Sequence, residues 1–360
     1  MMQYNHMIIS EISFLNYTKP FSFFNGTLTE NVQQDMEVQK CKDFFDRSHN
    51  ASKVFINSYG NLRYKELLGK MGLFYYFNFP PKIVNKMKEI SSAIVRDNDI
   101  ATKKVTDDIY GLFFKKVYDN LIPLSTAIWM LKDSCVQENR TYLLANTGYQ
   151  NNSSIKMSYS LANGKHDNID LTDDELKKVE KYYNLLWPII LRRLNVAPQK
   201  SYSSDLDYIV ENDIIDRSKE SSFIRALIAL QNARLSSQLP VKIDFYIQLF
   251  QCLYGVSGRS HKIAKEVSRY TAGLVKLSQE MSSNEKNRVI EVMEKAFTIR
   301  SKQSHGNKIN YDSEVITKTA IKIDEYARIV LKKVLPQNKL DYNTKREAKR
   351  VNKYFNELAN

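Results

Sequence analysis

Arg300 and His305 stand five positions apart near the end of a helical pattern, and they bring a permanent cation together with a titratable imidazole. A guanidinium keeps its charge at every relevant pH and presents a planar fork of donors that matches phosphoryl oxygens. An imidazole, with an unperturbed pKa of about 6.5, gives or takes a proton near neutrality. The pattern that carries them opens at Ser282, with Glu285 three residues on as a capping box, and apolar residues then recur at Val289, Met293, Ala296 and Phe297. The next step along that stripe is Arg300. A guanidinium on an apolar face needs an anion, a partner chain or a solvent-filled groove. His305 falls roughly 140° further round an ideal helix. The two side chains therefore converge only if the helix bends or ends between them, or if a second copy of the chain completes the site. Gly306 suits a helix end, because glycine accepts a left-handed C-cap without strain.

The elements that must hold this pair form a series of helices from Ser218 to Leu335. Phe223, Ile224, Leu227 and Leu230 mark the first. Val241 to Tyr254, apolar on nearly every side and closed by Gly255, reads as the central buried helix, with Cys252 as a buried thiol. Ile263, Val267, Tyr270 and Leu274 mark a third, the Arg300 helix is the fourth, and Asp312 or Ser313 caps a fifth that stops at Pro336. Short loops between such helices favour an up-and-down bundle.

The run Ala296-Phe297-Thr298-Ile299-Arg300-Ser301-Lys302-Gln303-Ser304-His305-Gly306, in this helical setting, resembles the HEPN superfamily and within it the Apea-like HEPN domains of bacterial defence proteins. The segment Ala127-Ile128-Trp129-Met130-Leu131-Lys132-Asp133 looks like one that precedes the HEPN part in some Apea-like proteins. The resemblance implies a metal-independent endoribonuclease of antiviral, abortive-infection or toxin type. It implies a homodimer in which Arg300 and His305 of two subunits line one cleft, with no cofactor. Directly after the arginine, where many members carry Asn, Asp or His, this chain has Ser301, which the resemblance leaves in a supporting position. RNA cleavage by its own 2′-hydroxyl needs proton transfer and stabilisation of a crowded phosphorane, which suits His305 as general base or acid and Arg300 as phosphate clamp. The other reading is a non-catalytic helical scaffold or RNA-binding module in which both residues only support the fold.

A formal net charge of +13 agrees with a polyanionic partner such as RNA. The excess surrounds the motif, with Arg259, Lys262, Lys265 and Arg269 on the third helix and Lys302 beside the site as candidate nucleic-acid contacts. Residues 337–360 form a basic tail or amphipathic helix, with Lys345, Arg346, Lys349, Arg350 and Lys353 interleaved with Tyr342 and Tyr354. His261 and Glu266 are further supporting candidates, the carboxylate as an orienter of an imidazole.

Cys41, Cys135 and Cys252 lack any CxxC or Cys/His pairing, so zinc and a disulfide framework are not expected. No glycine-rich phosphate loop appears, which argues against nucleotide hydrolysis. With 43% apolar residues over 360 positions the chain has material for two domains. No apolar run of spanning length and no leader pattern is present, and a cytoplasmic, membrane-free protein is expected.

The architecture expected is mainly α, with an α+β domain over 1–196, a linker over 197–217 and the bundle over 218–336. In the first domain, strands are expected at His6 to Tyr17, Thr141 to Ala145 and Ser154 to Leu161, and helices at Ile83 to Val95, Ile109 to Leu121, Trp129 to Lys132 and after Thr172. By analogy this domain would sense a phage-derived trigger, hold the nuclease silent or extend the RNA groove.

Overall fold

Residues 6–16, 21–22, 26–27, 33–47, 49–77, 121–145, 150–153, 158–194, 220–257, 260–279 and 282–359 are described by the structure, a computed structural model. The chain is mainly helical, with an N-terminal sheet. Strands β1 (His6–Ser13), β2 (Leu15–Asn16), β3 (Phe21–Ser22), β4 (Gly26–Thr27) and β5 (Gln33–Lys40) lead into helices α1 (Cys41–Arg47), α2 (His49–Tyr59) and α3 (Asn61–Leu68). Then follow β6 (Met71–Phe77), α4 (121–131), β7 (Gln137–Ala145), β8 (Gln150–Ser153), β9 (Ile169–Asp170) and α5 (Asp173–Leu194).

The main sheet runs β3-β5-β6-β1-β7-β8, with β4 also on β5, and every pairing in it is antiparallel. β1 is central and apolar on both sides because both faces are covered. Ile9, Phe74, Tyr142 and Leu144 pack with Phe44, Phe45, Phe55 and Leu67 of α1 to α3. Ile8, Leu73 and Leu143 point the other way, into the cluster shared with α4, α5 and the C-terminal helices. One face of the sheet and the bundle therefore share a core. The predicted strand at 154–161 is coil over 158–161, and its first four residues lie outside the described ones, as do the helices expected over 83–95 and 109–120.

The C-terminal half contains α6 (Ser222–Leu235), α7 (Leu239–Tyr254), α8 (Ser260–Gln279), α9 (Ser283–Ser304), α10 (Ser313–Val334), a 3₁₀ turn (Asn338–Leu340) and α11 (Lys345–Ala359). Helix α7 is the hub, with Ile243, Ile247, Phe250 and Leu253 fully buried; Cys252 is only half-buried. Gly255 ends it at φ 63°, and a Cβ there would meet the Ala348 carbonyl oxygen at 2.6 Å, so both conformation and space demand glycine. The basic 337–360 stretch is part of the bundle. Thr344 and Glu347 cap α11, and Val351, Phe355 and Ala359 face inward, Phe355 packing against both the Tyr254 and Tyr270 rings. Removing the Phe355 ring would cost about 3–5 kcal/mol. Among the described residues no helix is long and apolar enough to cross a membrane.

Candidate functional site

Helix α9 begins as its sequence dictates. The Glu285 amide donates to Ser282 Oγ at 3.3 Å and the Ser282 amide to Glu285 Oε2 at 2.9 Å. Val289, Met293, Ala296 and Ile299 are buried, and the stripe then reaches Arg300, whose side chain keeps 29% of its exposure. Its Nε donates to Asp244 Oδ1 of α7 at 2.9 Å. Among the described residues the two Nη groups have no hydrogen-bond partner, so Asp244 fixes the guanidinium by its inner edge and leaves the outer fork free.

The helix runs unbroken through Ser304. Its end is a Schellman motif: the Asn307 amide donates to the Lys302 carbonyl at 2.9 Å and the Gly306 amide to the Gln303 carbonyl at 3.2 Å, with Gly306 at φ 65°. A Cβ at Gly306 would meet nothing within 4 Å, so conformation alone selects glycine. His305 is the C-cap and is exposed, and among the described residues its imidazole has no partner. The helix thus ends at His305 and not between the two residues. They remain about 7.5 Å apart along the axis and on different sides. One chain does not bring them together.

The other candidates divide. Ser301 is exposed, and its carbonyl accepts the His305 amide at 3.2 Å. Lys302 Nζ lies 5.8 Å from the Tyr311 ring centroid. His261 is exposed on the first turn of α8, while Glu266 pairs with Lys262 at 3.7 Å, so the carboxylate expected to orient an imidazole faces a lysine instead. Lys262 and Lys265 are exposed, Arg269 is half-buried with its Nη2 on Asn356 Oδ1, and Arg259 lies outside the described residues. Among the described residues no three His, Cys, Asp or Glu side chains are grouped so as to hold a metal ion.

A second polar cluster, absent from the sequence expectations, lies where the first domain meets the bundle. Asp324 of α10 is fully buried; its Oδ1 accepts from Trp129 Nε1 at 2.8 Å and from Tyr246 OH, and its Oδ2 pairs with Arg328. Arg234 and Lys242 are also fully buried. Arg234 donates to Ser125 Oγ at 2.8 Å and covers the Tyr159 ring at 4.1 Å; Lys242 Nζ donates to the Ser160 carbonyl at 3.3 Å. Asp133 accepts the Ala162 amide at 2.9 Å. Burial and the nearby Asp324 charge push its carboxyl up to about 6, while burial pulls Lys242 down to about 8. Among the described residues Arg234 Nε and Nη1, Asp133 Oδ1, Ser134 Oγ and Tyr159 OH have no hydrogen-bond partner. A signal for this cluster was present: Arg234 continues the stripe of Leu227 and Leu230, and Asp324 follows Ala320 by four, the same anomaly that marks Arg300. The segment 127–133 is embedded here through Trp129 and Asp133.

Compared with known proteins, the chain matches no family model, no curated protein and no solved structure.

Proposed function

We propose that the protein is a metal-independent endoribonuclease of antiviral or toxin type, with a HEPN-like bundle, acting as a homodimer through Arg300 and His305. The observation that supports this most is the half-exposed Arg300 guanidinium, tied among the described residues to Asp244 by Nε alone, on a helix that ends in an exposed His305 with no partner among them. In the proposed reaction the 2′-oxygen attacks phosphorus and the bond to the 5′-oxygen breaks. The 2′-hydroxyl proton passes to a base, and the departing oxygen takes one from an acid. His305 serves one of these transfers, and such help is worth about 10²- to 10⁴-fold. Arg300 binds the non-bridging oxygens as charge builds on them. Because the two side chains lie about 140° apart around one helix, this reading requires a second copy to bring an imidazole opposite a guanidinium.

Mixing supplies the test. Arg300→Ala and His305→Ala are each expected to be inactive alone, and subunit exchange between them should restore part of the EDTA-resistant cleavage. No recovery after verified exchange would remove the composite site.

One observation favours a second reading. The Arg300–Asp244 pair ties α9 to α7 at 2.9 Å, and it serves equally in a non-catalytic scaffold or RNA-binding module. In that case His305→Ala, which removes no side-chain hydrogen bond or ion pair among the described residues, changes nothing.

A further inference from the structure

Helices α8 and α11 lie side by side and run in the same direction. Arg269 meets Asn356, the Tyr270 ring lies 6.2 Å from that of Phe355, and a Cβ on Gly273 would come within 3.1 Å of Ala359 Cα. From Arg269 to Gly273 on α8 the contacts advance from Asn356 to Ala359 on α11, and the Arg269–Asn356 pair marks the outer lip of the seam. Residues four and seven before Arg269 share its face of α8: they are Lys265 and Lys262. Residues seven and eleven before Asn356 share its face of α11: they are Lys349 and Lys345. All four lysines are exposed. At 1.5 Å per residue, Lys262 and Lys349 are level, each about 10 Å below the Arg269–Asn356 contact.

Among the described residues one of the four lysines has a carboxylate partner: Lys262 pairs with Glu266 at 3.7 Å, while Lys265, Lys345 and Lys349 have none, and Glu347 is turned back onto the Asn343 and Thr344 amides as the cap of α11. Glu357 lies beyond the seam's basic part and pairs with Lys353 at 3.8 Å. The strip also leads to the candidate site. Helices α8 and α9 are separated by three residues in sequence and pack along each other. Counting 17 residues back from Gln279 and 17 on from Ser283 puts the start of α8, with Lys262, beside the end of α9, with Arg300.

We propose that the seam between α8 and α11, lined by Lys262, Lys265, Lys345 and Lys349, is a track for the phosphate backbone of single-stranded RNA leading to the end of α9. The identification of the polyanion as RNA rests on the nuclease reading; the track itself rests on the register and charge of the two helices. Two parallel rows of ammonium groups with a polar lip suit a flexible, regularly charged strand, and each phosphate contact adds about 0.7 to the slope of log affinity against log salt.

The experiment uses full-length His305→Ala protein, which leaves RNA uncut under the reading above, and a short fluorescent single-stranded RNA titrated at about 50 to 200 mM salt. Adding Lys265→Gln with Lys349→Gln is expected to lower the slope by about 1.4 and to weaken binding roughly 25-fold near 100 mM salt. A control of equal charge, Lys177→Gln with Lys318→Gln on exposed turns of α5 and α10, should change affinity less than about threefold. Equal losses from both pairs, no loss from either, or tighter binding to anionic vesicles than to RNA would overturn the track. Cleavage by wild-type protein is scored separately. Binding that follows the lysines without any cleavage would remove the nuclease reading and leave the track, and cleavage with binding indifferent to the lysines would do the reverse.

Discussion

Two charged clusters use opposite faces of the same helix. Lys242 and Tyr246, one turn apart on α7, face the sealed junction with the first domain, while Asp244 between them faces Arg300 at the open end of α9. In the sealed cluster Arg234, Lys242 and Asp324 are wholly buried; in the open one Arg300 and Asp244 keep 29% and 24% of their side-chain exposure. Charge on an apolar stripe thus has two outcomes. Inside, it must find countercharges within the protein, and among the described residues some Arg234 and Asp133 atoms have no partner. At the edge, one carboxylate orients the cation and solvent takes the remaining donors. The first arrangement costs stability and fixes geometry, and the second leaves a cation ready for an external anion.

Substitutions can break this contrast. The largest loss of stability is expected from Asp324→Ala, which strips Trp129, Tyr246 and Arg328 of their shared acceptor inside the core. Such a change costs about 3–5 kcal/mol in urea unfolding. A loss below about 1 kcal/mol would mean that the junction does not depend on this carboxylate.

A smaller effect concerns pH. Asp133 is pushed up to about 6 by burial, so the native state holds its proton more tightly than the unfolded chain does. Its stabilising contribution is complete below the ordinary aspartate range and is lost as pH rises through about 6. Glu138, pushed up to about 7 by burial, acts in the same direction. Acidification from about pH 7.5 to 5 should therefore raise the melting temperature, with on the order of 1 kcal/mol due to Asp133. Asp133→Asn should remove that share of the slope; an unchanged profile would show that this carboxyl does not titrate in the native junction.

The smallest stability change is expected from Asp244→Asn at the open end. Its partner is partly solvated, so the loss should stay under about 1 kcal/mol. RNA cleavage should fall by less than with Arg300→Ala, since the guanidinium persists with poorer orientation. A stability loss as large as that of Asp324→Ala would erase the distinction between the clusters.

Much of the helical half was legible because each helix carries its own punctuation. Ser282 and Glu285 start α9, Gly306 ends it, Gly255 ends α7, and periodic apolar residues connect these signals. The sheet was only partly legible. β1 announces itself with Ile8, Ile9 and Ile12, but β5 reads Gln33-Gln34-Asp35-Met36-Glu37-Val38-Gln39-Lys40, with Met36 and Val38 its only apolar residues, and it takes its conformation from pairing along β6. The helices α1 to α3 are short, and their apolar residues make sense only once the sheet face of Ile9 and Phe74 exists. At the site, Arg300, His305 and Gly306 could be read from spacing. Asp244 could not, because it lies 56 positions away and only packing of α7 on α9 unites the pair. The buried Arg234 and Asp324 were readable as charges on apolar stripes, but their common meeting point was not.

On the proposed function, the His305 imidazole at the end of α9 takes part in RNA chemistry. Purified protein incubated with total RNA and tRNA in EDTA, with end-group analysis, tests it most directly. Wild-type protein should leave cyclic phosphate ends, and His305→Ala should lose about 10²- to 10⁴-fold in rate with its unfolding midpoint unchanged. Equal cleavage by the two proteins, or none by wild type, would contradict the account.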